Sequence, residues 1–130
     1  MIFEPVTKVE NEVLKCFIPI RKNFVYSSKS AVKQLGIIIK NSIGFYKVFD
    51  DKKFIGCLFV DDIDDSEKII TFGGFAFRHV NTRQAIKEFI AFFKYHFPNY
   101  TIKATTRHKT AKTCLIGAGF KNVKGDYIYG

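Results

Sequence analysis

The hydrophobic period of the chain changes at Ile43, and this change constrains the fold more than any other feature. From Ile43 onward, aromatic and β-branched residues form three strand-like runs, "IGFYKVFDD", "KKFIGCLFV" and "IITFGGFAF". A short polar turn from Asp50 to Lys53 joins the first two runs, and the acidic loop "DDIDDSEK" joins the second to the third. We therefore predict an antiparallel meander of three strands.

The third strand of this meander contains the pair Gly73-Gly74. Glycine inside a strand weakens it, and commonly marks a β-bulge or a place where another backbone approaches closely. The pair predicts one of these two features.

Two helices are predicted before the meander. After a short strand, "MIFEPV", the segment Thr7 to Glu10 has the pattern of a capping box, and Pro19 ends the helix that follows. The second helix has Ser28 or Ser30 as its N-cap. Its predicted inward-facing residues are Val32, Leu35 and Ile39.

The segment "NTRQAIKEFIAFFKYHF" is the clearest helix in the sequence. Asn81 is a possible N-cap with Gln84 three residues later, and Pro98 stops the helix. Its apolar stripe consists of Ile86, Phe89, Ile90, Phe93 and Phe97. A strand "YTIKATT", a helix "HKTAKTCLI" closed by Gly117, and a last strand or hairpin "NVKGDYIYG" complete the chain.

The predicted order is therefore β-α-α-β-β-β-α-β-α-β within one domain, residues 1–130. The strand–helix–strand unit from Ile69 to Thr106 should pair its two strands in parallel through a right-handed crossover. We expect an α/β or α+β fold, with helices on both faces of a mixed sheet.

Composition excludes several classes of protein. At 47% hydrophobic residues the chain is too apolar to be disordered. No apolar run reaches the roughly 18–20 residues of a membrane span, and no signal-peptide pattern is present, so we expect a cytoplasmic protein. The three Cys and three His lack metal-ligand spacing, so neither a metal site nor a disulfide framework is expected.

The charge of +9 is unevenly distributed. Seven of the twelve acids lie between Asp50 and Glu67, whereas the segment from Lys103 to Lys124 has six Lys/Arg and no acid. The basic end would suit a phosphate-bearing ligand. An ordinary solvated Lys-rich surface explains the same pattern.

The element order resembles that of the GNAT family of N-acetyltransferases over nearly the whole chain. Gly56 lies where the family has a glycine in its "x-I-V-G" strand, and Gly73-Gly74 lies in the strand that is bulged in the family. The closing helix "TAKTCLIGAGF" has Ala111, Gly119 and Phe120 in register with the family motif. The resemblance implies a protein that binds acyl-CoA, with acetyl-CoA as co-substrate and a primary amine as acceptor.

In the family, the diphosphate of CoA binds at the start of the helix after the bulged strand, where free amides and the helix dipole stabilise it. The family motif, (Gln/Arg)-x-x-Gly-x-(Gly/Ala), has small residues at two positions where this chain has Asn81 and Arg83. Asn tolerates left-handed geometry, so Asn81 can preserve the turn. The implied donor-binding residues are Arg78, His79, Val80, Asn81, Thr82, Arg83 and Gln84.

The resemblance also implies catalytic positions. The strand with the glycine pair should part from its neighbour, and a backbone N–H of Gly74, Phe75 or Ala76 would polarise the thioester carbonyl. Where the family often has a tyrosine that protonates the leaving thiolate, this chain has Leu115. Substitute acids are Tyr127, Tyr129 and His108, and candidate bases are Asp61, Asp62 and Glu67.

Three functions follow from these observations. The first is acyl-CoA binding with acetyl transfer to a primary amine, by a monomer or homodimer. The second is a non-catalytic role in phage head or virion assembly, because some short phage-encoded GNAT-like proteins also lack the Gly-rich loop and have Leu at the tyrosine position. Such a protein would act in the host cytoplasm or the virion. We rank nucleic-acid binding last, because no recognition motif supports it.

Overall fold

The computed structural model describes residues 1–77, 80–106 and 108–130. These residues form one seven-stranded sheet, four α-helices and a 3-10 helix. The strands are β1 (Ile2–Pro5), β2 (Gly44–Asp50), β3 (Lys53–Asp64), β4 (Ile69–Phe75), β5 (Thr101–Ala104), β6 (Lys121–Val123) and β7 (Asp126–Tyr129). The helices are α1 (Asn11–Phe17), the 3-10 helix (Ile18–Asn23), α2 (Ala31–Asn41), α3 (Thr82–His96) and α4 (Lys109–Gly117).

The sheet has the strand order β1-β2-β3-β4-β5-β7-β6. The strands β2, β3 and β4 form the predicted antiparallel meander, and β4 pairs with β5 in parallel, as the crossover rule requires. The predicted fold class is confirmed. The last segment is a hairpin, since β6 pairs with β7 through a turn in which Lys124 and Gly125 both have positive φ.

Helices cover both faces of the sheet, and each face has its own apolar cluster. On one face, α1 and α2 pack on β2, β3 and β4 through a group of aromatic rings that includes Phe45, Phe59 and Phe75. On the other face, α3 packs with α4 over the centre of the sheet. Of the predicted α3 stripe, Ile86, Phe89, Ile90 and Phe93 are buried and Phe97 is partly buried.

The predicted capping box at the start of α1 is wrong. The helix begins at Asn11, and its N-cap residue, Glu10, makes no capping hydrogen bond with its side chain. The Glu10 carboxylate instead accepts a bond of 2.7 Å from Lys47 Nζ, which also contacts Glu4 and Glu12. Lys47 is 5% exposed, and the bonds that its ammonium donates to Glu10 and Glu12 raise its pKa. Pairing a buried charge across two elements outweighs a local cap.

The start of α2 is as predicted, but its inward face differs. The Ser30 hydroxyl accepts a bond from the Lys33 N–H, which confirms Ser30 as N-cap. Leu35 and Ile39 are buried, whereas Val32 is exposed. The fully buried polar residue Gln34 lies on the inward face, where it binds the preceding loop.

The glycine pair in β4 marks a close approach and not a bulge in the pairing with β3. Leu58 and Phe59 pair in regular register with Gly74 and Gly73, and the irregularity lies between Val60 and Asp62 of β3. A Cβ at Gly73 would lie 2.6 Å from the Phe59 ring. The packing of aromatic rings in the α1/α2 cluster therefore requires glycine here.

The end of α4 differs slightly from the prediction. Gly117 is the last helical residue, and Gly119 has the left-handed conformation, with φ of 104°. The N–H of Phe120 donates to the Leu115 carbonyl and that of Gly119 donates to the Ile116 carbonyl. This hydrogen-bond pattern is a Schellman-type ending, which buries the Phe120 ring in the core.

None of the helices among the described residues has the length and apolar character needed to cross a lipid bilayer.

Candidate functional site

Strands β4 and β5 part at the end where α3 begins. Their parallel pairing runs from Ile69 opposite Thr101 to Phe72 opposite Ala104, and there β5 ends. β4 continues to Phe75, paired in this stretch with β3. The last three residues of β4 therefore lie beyond the β4–β5 pairing, and we call the region beside them the gap.

The chain leaves β4 through a strained residue. Ala76 has φ of +72°, a left-handed conformation that costs a non-glycine residue about 1–2 kcal/mol. Phe77 then folds back over the sheet, since its ring lies 3.0 Å from the position of a Cβ on Gly56 and 3.4 Å from one on Gly74. The predicted donors Gly74, Phe75 and Ala76 thus all lie at the open end of β4. Backbone strain of this kind is concentrated at functional sites.

Asn81 precedes α3 as predicted, but its side chain does not cap the helix. Within the described part of the chain it makes no capping bond, and its Nδ2 donates to Asp50 Oδ2 at 2.6 Å. Its φ is −97°, so the expected left-handed geometry is found at Ala76 instead. The start of α3 is thereby tied to the turn between β2 and β3. Val80 is 91% exposed beside it, and the predicted donor-binding residues Arg78 and His79 lie outside the described residues.

The first turn of α3 has the features of an anion site. The first helical hydrogen bond runs from the Ala85 N–H to the Asn81 carbonyl, so the backbone amides of Arg83 and Gln84 precede the helical pattern. The 15-residue helix adds its dipole at this end. Thr82 is buried here, and the Gln84 side chain donates to Glu88 one turn later.

The side chain of Arg83 reaches across to α4. A Cβ on Gly117 would lie 2.6 Å from Arg83 Nε and 3.0 Å from its Cζ, so the guanidinium packs directly on the glycine backbone. This contact places a cation at the C-terminal end of α4, where the helix dipole favours it. A side chain at this position would displace the guanidinium from α4.

Asp50 places a negative charge at the start of α3. We expect Asp50→Asn to tighten binding of a phosphate-bearing ligand by about two- to threefold, because exposed like charges cost a few tenths of a kcal/mol in salt. The bond to Asn81 can be kept, since an Asn side chain also offers a carbonyl oxygen. The measurement is a titration with the ligand at low and high KCl, and the gain should shrink at high KCl. Weaker binding by the variant would show that Asp50 helps to build the site.

The three predicted acids lie at different distances from the gap. Tyr127 pairs with Ala104, the last residue of β5; it is 4% exposed, and its hydroxyl accepts a long bond of 3.5 Å from Asn122. Tyr129 pairs with Ile102, which is about 7 Å further from the gap along the strand. His108 is the exposed N-cap residue of α4, and its imidazole makes no capping bond within the described chain. Tyr127 and His108 are therefore better placed than Tyr129.

The acidic loop lies at the other end of β4. Glu67 precedes β4, whereas Ala76 follows it, a separation of about 25–30 Å along an extended strand. Asp62 pairs with Thr71, where β4 and β5 are still joined. The structure therefore does not bring Asp61, Asp62 or Glu67 to the gap.

The acids of this loop stabilise the turn itself. Asp64 accepts bonds from the backbone N–H groups of Ser66 and Glu67 and from the Ser66 hydroxyl. These bonds, led by the one from Glu67, lower the pKa of its carboxyl. Asp65 accepts from the Tyr100 hydroxyl, which raises the pKa of that phenol.

Leu115, the residue in place of the family tyrosine, is 5% exposed and packs in the core between α4 and the sheet. It provides no polar atom there. Burial raises the pKa of the Cys57 thiol, and burial also raises that of Cys16. Neither cysteine is a ready nucleophile at neutral pH. Among the described residues, no group of three or more His, Cys, Asp or Glu is placed to hold a metal ion.

Sequence reasoning missed the residues that build the site through long-range contacts. Asp50, Phe77 and Gly117 all contact groups from other elements, and no local pattern marks them. Gln34 was also missed, since a single polar residue on a helix gives no signal that it is buried.

No family model matches the sequence, and no curated protein matches it. Solved structures with the same fold are nevertheless found. The Campylobacter jejuni N-acetyltransferase PseH, in complex with acetyl coenzyme A, has a TM-score of 0.63 and 17% identity, covering 98% of this chain and 94% of that one. A chimera of spermidine N-acetyltransferase SpeG from Vibrio cholerae and hSSAT has a TM-score of 0.61 and 16% identity, covering 98% and 93%.

A third structure, the microcin C7 self-immunity acetyltransferase MccE in complex with acetyl-CoA and AMP, has a TM-score of 0.60 and 13% identity, covering 96% of this chain and 89% of that one. At such low identities these likenesses establish the fold. The chain has the GNAT fold over nearly its whole length.

Proposed function

We propose that this protein binds acetyl-CoA and transfers the acetyl group to a primary amine. The observation that carries the proposal is the parting of β4 from β5 immediately before the first turn of a long helix. The gap would accept the extended arm of the donor, and the amides of Arg83 and Gln84 would bind its diphosphate. Solved structures with this fold include complexes with acetyl coenzyme A, which supports the choice of donor.

The proposed reaction is a direct attack. The neutral amine nitrogen forms a bond to the thioester carbonyl carbon, the C–S bond breaks, the nitrogen loses a proton and the thiolate gains one. A backbone N–H among Gly74, Phe75 and Ala76 would stabilise the oxyanion. Alignment of the two substrates would provide much of the rate enhancement.

The proton donor to the thiolate is not Leu115, which has no dissociable proton. We propose Tyr127 or His108, because both lie at the end of the sheet where the gap opens. We propose none of the carboxylates Asp61, Asp62 and Glu67 as base, since they lie away from the end of β4. A water molecule bound in the gap would take the amine proton.

The role of Arg83 can be tested by a pair of substitutions. We expect Arg83→Ala to weaken acetyl-CoA binding by about fivefold, because an exposed charge–phosphate contact contributes on the order of 1 kcal/mol. Gly117→Ala keeps the charge but displaces the guanidinium from α4, since the new Cβ would lie 2.6 Å from Nε. This second variant should bind acetyl-CoA at least as tightly as the wild type. Isothermal titration of both variants measures the difference.

The same pair also tests the opposite role. If Arg83 bridges α3 and α4 so as to obstruct the donor, both substitutions should tighten binding. Tighter binding by Arg83→Ala would therefore contradict its assignment as a phosphate ligand.

A non-catalytic role, as in phage head or virion assembly, is the second candidate. The observation that favours it is the burial of Leu115 at the position where the family has its acid. The structures of similar fold named above are all acetyltransferases, so they lend it no support. Incubation of the protein with acetyl-CoA and a panel of amines, followed by mass spectrometry, separates the two. Formation of an acetylated amine would support acetyl transfer and contradict the non-catalytic role.

A further inference from the structure

The loop between α1 and α2 borders the candidate site on the face opposite α3. The Phe24 ring lies edge-on to Phe75 at 5.9 Å and 6.3 Å from Phe59. Ala76 packs in the same cluster as Ile20 and Phe24. Because the diphosphate would bind at α3, an amine acceptor would reach the thioester from this other face, past residues 18–30.

This loop is held in a defined conformation. Gln34, fully buried in α2, donates to the carbonyls of Arg21 and Val25, and accepts from Arg21 Nε. Arg21 also donates to the carbonyls of Ser27 and Lys29. Tyr26 has φ of +62° in the resulting turn and is 46% exposed. The surface presented to an acceptor is therefore largely preformed.

The two chain segments that flank the candidate site are rich in basic residues, although Asp50 at the start of α3 and Asp126, which accepts a bond from the Thr105 hydroxyl, also lie next to it. Residues 13–49 contain seven Lys/Arg and no acid, and residues 101–125, on the other side of the gap, contain six and no acid. All twelve acids of the chain lie outside these two segments. Lys22, Lys29 and Lys33 are exposed in or next to the loop, whereas Lys47 is neutralised by its glutamates.

We infer, on the basis of the proposed acetyl transfer, that the acceptor is a small molecule that carries a phosphate ester as well as its primary amine. The excess of basic over acidic residues in these two segments disfavours a polycationic amine. The exposed ammonium groups and the hydroxyls of Ser27 and Ser28 lie within one short loop, which suits one compact phosphate better than an extended acidic peptide. Val25 and Tyr26 add exposed apolar surface for a ring.

The test uses the acetyl-CoA-loaded protein and a matched pair of acceptors, glucosamine and glucosamine 6-phosphate. We expect the phosphorylated sugar to bind at least about tenfold more tightly, and the preference to decline as KCl rises from about 50 to 300 mM. Equal binding of the two sugars, including binding of neither, would overturn the inference. So would tighter binding of spermidine or of an Asp/Glu-rich peptide with a free N-terminus.

Charge reversal in the loop between α1 and α2 provides a second test of the inference. The double variant Lys22→Glu, Lys29→Glu should lose most of the preference for the phosphorylated sugar. Lys40→Glu, near the far end of α2, is the matched control and should keep it. Acetyl-CoA binding is measured separately for each variant. If the wild type did not bind acetyl-CoA, the proposed function would be refuted. If it bound acetyl-CoA but showed no preference for the phosphorylated sugar, only this inference would be refuted.

Discussion

Gln34→Leu should lower the free energy of unfolding by about 3 kcal/mol, although leucine matches glutamine in size and favours helix. The glutamine is 0% exposed and bonds at 2.9 Å to the carbonyls of both Arg21 and Val25, while Arg21 Nε donates to its Oε1 at 2.9 Å. Leucine would leave these partly buried groups without the partners that Gln34 provides. Chemical denaturation of the variant measures the loss, and hydrogen exchange should show reduced protection of residues 21–26.

The matched control is Gln84→Leu. Its amide makes one exposed bond to Glu88 on the same helix, and pairs of this kind contribute about 0.2–0.5 kcal/mol. A Gln34→Leu protein no less stable than this control would mean that the loop is not held by these bonds. The preformed surface inferred for the acceptor would then lose its basis.

Gly74→Ala is the second substitution with a large expected effect. The added methyl would lie 2.8 Å from the Cys57 carbonyl oxygen and 2.7 Å from Leu58 Cδ2, so β3 and β4 would have to move apart. We expect a loss of about 2–3 kcal/mol in unfolding free energy and a fall in Tm of roughly 10 °C. Donor binding should also weaken, because the last residues of β4 border the gap.

Gly36→Ala makes the same chemical change where there is room for it. The nearest atom to the new methyl is Val9 Cγ2 at 3.6 Å, and the residue lies inside α2. Alanine should stabilise the helix by about 0.5–1 kcal/mol. If both glycine substitutions changed stability in the same direction, the close approach at Gly74 would not be the cause.

Much of the fold could be predicted from the sequence because periodicity is a local property. The aromatic runs after Ile43 predicted the meander, and the Phe-rich stripe before Pro98 predicted α3; the structure contains both. The parallel pairing of β4 with β5 followed from the crossover rule. The first two depend on residues close together in the chain, and the third follows from a general rule of chain topology.

The main failures involve partners distant in sequence. The sequence does not show that Glu10 binds Lys47, which lies 37 residues later, and does not cap α1. Asn81 likewise binds Asp50, 31 residues earlier, and the close approach at Gly74 depends on side chains of β3. A local capping or bulge pattern competes with tertiary contacts that only the folded chain reveals.

The candidate site shows the same division. The sequence located the start of α3 and the end of β4, and the structure brings these two together. The sequence did not predict that Arg83 packs on Gly117. It also did not predict that the length of β4 separates Glu67 from the gap. Tyr127 and His108 remain proposed acids, because Tyr127 pairs with the last residue of β5 and His108 follows the end of that strand.

The most direct measurement is the thermal unfolding of this protein with increasing acetyl-CoA. Binding to the first turn of α3 and the gap predicts a dissociation constant below 1 mM. Free donor at 100 times that constant should stabilise the folded state by about 2.7 kcal/mol and raise Tm by roughly 10 °C. Dephospho-CoA, which keeps the diphosphate, should still stabilise the protein, whereas pantetheine should do so much less. An unchanged Tm at several millimolar acetyl-CoA would contradict the account.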